Sequence, residues 1–128
     1  LMKNKGKIIA FEKNKKRLNM VEDECRRLGI NSVETVLLDA AKLCSNYLGI
    51  ADRILVDAPC SGSGVIRRKP DLKWKNWDNN HLKILNQLQK QILNTAARYL
   101  KNGGEILYST CSMEKEENDD IIAHFLSK

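Results

Sequence analysis

Short apolar runs alternate along this chain with longer stretches in which apolar residues recur every three or four positions. KIIAF (7–11) is the first run, and its β-branched content predicts a buried strand. Leu18, Val21, Cys25 and Leu28 then fall at helical spacing over 13–28, with Gly29 as the stop. VETVLLD (33–39) predicts a second strand and RILVD (53–57) a third, while AKLCSNYLG between them shows no clear period. After a polar loop to about Asn79, a long helix presents Leu85, Leu88, Ile92, Ala96 and Leu100 on one face and ends at Gly103–Gly104. EILYST (105–110) predicts the fourth strand, and 114–126 an acidic helix.

Near-continuous apolar strands alternating with amphipathic helices predict a parallel, doubly wound α/β sheet. Ligands of such sheets sit beyond the carboxyl ends of the strands. Each predicted strand end carries a carboxylate or a thiol: Glu12, Asp39, Asp57 with Cys60, and Cys111. An acid at such an end accepts hydrogen bonds from ribose hydroxyls. Glu12 suits that role, or that of a solvated acid at a helix N-terminus. Asp39 carries the same two readings, or meets an adenine amino group.

Composition narrows the class. The chain has 128 residues, 42% hydrophobic and 30% charged, which is enough for one modest core in one domain. No apolar stretch approaches the roughly 18 residues of a membrane span. The four cysteines (Cys25, Cys44, Cys60, Cys111) form no CxxC pair, which favours reduced thiols over a zinc or disulfide framework. Cys25 lies on an apolar helix stripe and is expected in the core. The net charge of +6 suits a polyanionic partner. RRKPDLKWKNW (67–77) concentrates five cations and two tryptophans. It reads as a nucleic-acid contact or as a solvated loop with Trp74 or Trp77 tucked into the core.

VDAPCSGSG (56–64) and YSTCSM (108–113) carry the candidate chemistry. Pro59 stiffens the exit from the strand, and two glycines allow the backbone close to a ligand. A cysteine at one strand end alone reads as structural; a second on a neighbouring strand end changes that. VDAPCSGSGVIRRKPDLKW with YSTCSMEKEEND resembles the S-adenosylmethionine-dependent RNA 5-methylcytosine methyltransferases, the NOL1/NOP2/Sun family. The likeness runs from about Gly6 to the end and includes KIIAFEKNKKRL, LLDA, QKQILNTAARYLKNGGEILYSTCS and EEND.

The resemblance implies a Rossmann-like methyltransferase fold with a mostly parallel sheet, residues 1–128 being part of its catalytic domain. It implies that Cys111 is the nucleophile that adds to carbon 6 of cytosine. Cys60 assists release of the methylated RNA, and Asp57 holds the ring-nitrogen edge of the base. Glu12 and Asp39 match contacts to the ribose and adenine of S-adenosylmethionine, with Asp57 also beside the cofactor. Arg67, Arg68, Lys69 and Trp74 would contact and unstack the RNA. The implied partner is ribosomal or transfer RNA, with no metal or membrane, in the cytoplasm (or the nucleus or nucleolus of a eukaryote).

The family's Gly-rich cofactor loop after the first strand has no counterpart before KIIAF, nor are the closing strands matched. The chain is therefore expected to be a piece of a longer protein, truncated at both ends. The absent first strand belongs between KIIAF and RILVD, so two unpaired edges are expected there. Such a fragment is expected to bind S-adenosylmethionine weakly. The competing readings are a non-catalytic RNA-binding or scaffold domain that keeps the fold, and a thiol redox protein, the latter opposed by the lack of CxxC.

Overall fold

The computed structural model describes residues 2–74 and 79–127. It divides into two compact units, Leu1–Lys42 and Leu43–Lys128.

The first unit is a strand, a helix and a parallel strand: β1 (Ile8–Glu12), α1 (Lys15–Arg27) and β2 (Val33–Leu37). Register runs from Ile8 opposite Val33 to Glu12 opposite Leu37. Asn14 sets the start of α1, its side-chain oxygen accepting the N–H groups of Lys16 and Arg17 at 2.9 and 3.3 Å. Arg26 and Arg27 occupy the last turn, where cations complement the helix dipole. Of the four apolar positions expected to form the buried stripe, only Leu18 is buried. Val21 and Leu28 are exposed and Cys25 is only partly covered. Cys25 is thus not a core residue: a sheet of two strands offers α1 too little surface to bury a full stripe.

The second unit is built on β3 (Ala51–Asp57) and β4 (Leu100–Ser109), again parallel, bridged by α2 (Asn79–Tyr99) and followed by α3 (Asp119–Leu126). Val56, Ala58, Leu93, Ala96 and Ile121 form its core, with Ile54, Ile106, Tyr108 and Phe125 packed around them. The buried line of α2 runs through Gln89, Leu93, Ala96 and Tyr99. Leu85, Leu88, Ile92 and Leu100 are only half-buried, so the face expected from apolar spacing is rotated by about one position. The helix also ends at Tyr99 rather than at the glycine pair. Leu100 has already joined the strand opposite Ala51. From that pair to Arg53–Glu105, β3 advances two residues and β4 five, so the glycines lie in a bulge within the strand. The expected helix over 114–126 is a short 3-10 turn (Lys115–Glu117) followed by α3. The segment that showed no period holds a 3-10 turn at Ser45–Tyr47. Tyr99 anchors it, its hydroxyl accepting the Cys44 N–H at 2.8 Å.

The strands form two separate two-stranded parallel sheets, β1–β2 and β3–β4.

Candidate active site

Asp57 is the last residue of β3 and stands opposite Ser109 at the end of β4. The Ala58 N–H donates to the Ser109 carbonyl at 2.9 Å, so the two chains stay zipped for one more residue as they leave the sheet. Pro59 and Cys60 follow on one side, Thr110 and Cys111 on the other.

Two glycines let these loops close on each other. Gly62 has φ +80°, a conformation that side chains disfavour. At Gly64 the constraint is space: its N–H donates to the Cys111 carbonyl at 3.0 Å, and a Cβ there would stand 2.9 Å from that same oxygen. The result is a direct meeting of thiols. Cys60 Sγ lies 2.8 Å from Cys111 Sγ, and the Cys111 N–H donates to Cys60 Sγ at 3.2 Å.

The two sulfurs are not equivalent. Cys111 is exposed, while Cys60 is partly covered. Burial pushes the Cys60 thiol up to about 11, helped by its hydrogen bond to the Cys111 sulfur and opposed by the N–H groups of Cys111 and Gly62. Cys60 therefore keeps its proton at neutral pH. A thiolate, not a thiol, is the nucleophile, so Cys60 is poorly suited to initial attack.

Beneath the thiols lies a buried polar cluster that sequence reasoning missed. Glu117 and Gln89 are fully buried and Ser61 nearly so. Glu117 accepts the Ser61 N–H at 2.9 Å and the Gln89 amide at 3.0 Å through one oxygen, and the Ser61 hydroxyl through the other. Burial alone would raise the Glu117 pKa. Hydrogen bonds from Ser112, Ser61 and Gln89 outweigh it and hold the carboxyl below its ordinary value. Gln89 also donates to the Pro59 carbonyl at 2.9 Å. Tyr108 donates to the Glu117 carbonyl at 3.0 Å; its own hydroxyl is pushed up to about 12 by burial and by the nearby Glu117 charge. The one available signal was EEND, which contains Glu117 and lies in the segment expected to be an acidic helix.

The basic segment leaves this loop directly. Arg67, Arg68 and Lys69 are exposed, and Trp74, at the end of a 3-10 turn from Pro70, is 87% exposed. Trp74 is not a core residue. Trp77 lies outside the described residues.

In the first unit, Glu12 accepts the Asn14 N–H at 2.7 Å and Asp39 the Ala41 N–H at 3.1 Å. Each bond fixes one oxygen and leaves acceptor capacity on the carboxylate, since a carboxylate offers about four lone-pair sites. Arg17 approaches the second oxygen of Glu12 at 3.8 Å. Acceptor-only groups at strand ends fit the hydroxyl and amino donors of a nucleoside. Among the described residues no three His, Cys, Asp or Glu side chains group as a metal site, and no helix is long and apolar enough to cross a membrane.

A sequence profile of the family described as 16S rRNA methyltransferase RsmB/F matches residues 1–128. The chain belongs to the RsmB/F methyltransferase family. It is 40% identical to the probable ribosomal RNA small subunit methyltransferase B of Bacillus subtilis, over 100% of this chain and 29% of that protein. It is also 40% identical to the tRNA (cytosine(72)-C(5))-methyltransferase of Pyrococcus horikoshii, over 100% of this chain and 32% of that protein. Among solved structures it matches NSun6 from Pyrococcus horikoshii with SFG, an analogue of S-adenosylmethionine. That match has a TM-score of 0.84 and 39% identity, over 97% of this chain and 31% of the other. The chain thus spans under a third of the length of these RsmB/F relatives. Its α/β, mostly parallel architecture is that of part of their methyltransferase fold.

Proposed function

We propose that this chain carries the catalytic part of an RNA cytosine-5 methyltransferase, acting on ribosomal or transfer RNA through a covalent cysteine–cytosine intermediate. The meeting of two thiols from neighbouring strand ends at 2.8 Å, one of them held protonated, carries this reading.

Carbon 5 of cytosine is too weak a nucleophile to accept a methyl group unaided. Addition of the Cys111 thiolate to carbon 6 forms a carbon–sulfur bond and moves an electron pair toward carbon 5, dividing one difficult step into easier ones. Asp57, at the strand end beside this loop, donates a proton or hydrogen bond to ring nitrogen 3, where negative charge develops during addition. S-adenosylmethionine, when bound, supplies the electrophilic methyl group. Glu12 and Asp39 would hold its ribose and adenine, with Asp57 as a further contact. Once carbon 5 is methylated, its proton passes to water and the carbon–sulfur bond breaks. The departing sulfur of Cys111 leaves as a thiolate, and Cys60 holds the proton nearest to it. Addition thus falls to the exposed thiol and release is assisted by the covered one.

Arg67, Arg68 and Lys69 would contact RNA phosphates, and exposed Trp74 offers a ring on which an unstacked base can rest. The likeness to relatives named for 16S rRNA and for tRNA supports an RNA substrate.

The test is transfer of an isotopically labelled methyl group by the intact protein to 16S rRNA and to tRNA, followed by digestion to nucleosides and mass spectrometry. The label is expected in 5-methylcytidine. Label on an exocyclic nitrogen or on ribose would refute the chemistry. RNA binding without any transfer would favour a scaffold.

A further inference from the structure

We propose that Glu117 is the positioning residue that holds the two cysteine loops in register, and that its carboxylate, rather than its bulk, does so. Ser61 follows Cys60 in sequence and Ser112 follows Cys111. Ser61 bonds directly to this buried carboxylate, through its N–H at 2.9 Å and its hydroxyl, and the Ser112 hydroxyl is linked to it through that of Ser61. The serine hydroxyls stand 3.2 Å apart, and Ser112 lies 3.2 Å from Ser63, whose oxygen accepts the Met113 N–H at 2.8 Å. Gln89 closes the far side, spanning Glu117 at 3.0 Å and the Pro59 carbonyl at 2.9 Å. The residues flanking Cys60 on both sides are therefore tied to Glu117, one of them through Gln89.

An acceptor-only group is what this arrangement requires. Glu117 faces the Ser61 N–H, the Ser61 hydroxyl and the Gln89 amide, all of them donors. A glutamine of the same shape brings an NH2 of its own toward them, so one of these bonds must break or reverse. Charge-assisted bonds are also about twice as strong as neutral ones. The predicted consequence is a Cys60 loop that wanders relative to Cys111, with release suffering more than RNA binding.

The kinetic arm of the test rests on the two-cysteine reading above; a second arm does not. In the intact protein, Glu117→Gln is expected to lower kcat by about ten- to a hundred-fold with KM for RNA within about twofold, as for loss of an interaction used after binding. Adduct with 5-fluorocytidine-containing RNA should still form, and adduct with natural RNA should accumulate. Ser61→Ala, which removes one hydroxyl and keeps the N–H, should shift the same quantities less.

The second arm is diamide, whose azo bond takes up two electrons and two protons as the Cys60 and Cys111 thiols become one disulfide. If Glu117 sets the effective concentration of one thiol at the other, Glu117→Gln slows this cross-link by about tenfold at a temperature well below the Tm of both proteins. Cross-linking within about twofold of wild type in both variants overturns the proposal. So does a loss of activity that follows Tm while the diamide rate stays the same. Failure of the wild type to trap 5-fluorocytidine RNA sinks the covalent mechanism instead, and the diamide arm still decides for or against Glu117.

Discussion

Cys60 and Cys111 were legible as a pair because a strand end is a local feature and a parallel sheet brings neighbouring ends together. Glu117 was not legible in that way. Its side-chain partners come from positions 61 and 89, and no spacing along the chain links them. Read locally, Lys115-Glu116-Glu117-Asn118 is a polar helix start, yet Glu116 is exposed and Glu117 fully buried. The buried carboxylate leaves a pH signature. Its folded pKa lies below the ordinary value of 4.5, so its stabilising bonds are fully present above about pH 4.5 and are lost as pH falls through the lower folded value. Wild-type protein should therefore lose Tm between pH 5 and pH 3 more steeply than Glu117→Gln, which starts lower and has no such proton to take up. Parallel Tm profiles across that range would show that the carboxylate contributes no differential stability.

At the scale of elements, the order of strands and helices followed from apolar periodicity, but the facing of α2 did not. Periodicity ranks Leu85 with the buried face because it counts apolar residues. The helix instead turns Gln89 inward, where its amide reaches Pro59 and Glu117. The same counting ran the helix past its end, because Leu100 continues the helical spacing while its backbone has already paired with Ala51. Burial makes a sharp contrast between two leucines of one helix. Leu93 is 2% exposed at the centre of the core, so Leu93→Ala should cost about 2–5 kcal/mol in denaturant unfolding. Leu85→Ala, at a half-buried position, should cost less than half as much. Equal losses would mean that the packed face of α2 is the one the spacing suggested.

Across the whole molecule, the acidic strand ends proposed for the cofactor lie in residues 1–42, and the thiols and the basic loop in 43–128. The net charge of +6 over these 128 residues suits a polyanionic partner. The division of labour between the two thiols is the central claim, and it predicts opposite outcomes for two near-identical deletions. The measurement is denaturing electrophoresis of the intact protein after incubation with S-adenosylmethionine and substrate RNA, for Cys60→Ala and Cys111→Ala side by side. Addition precedes release, so Cys60→Ala should accumulate a covalent protein–RNA adduct that survives denaturation. Cys111→Ala should form none and transfer no methyl group. Methylation by Cys111→Ala, or an adduct in that variant and none in Cys60→Ala, would contradict the account.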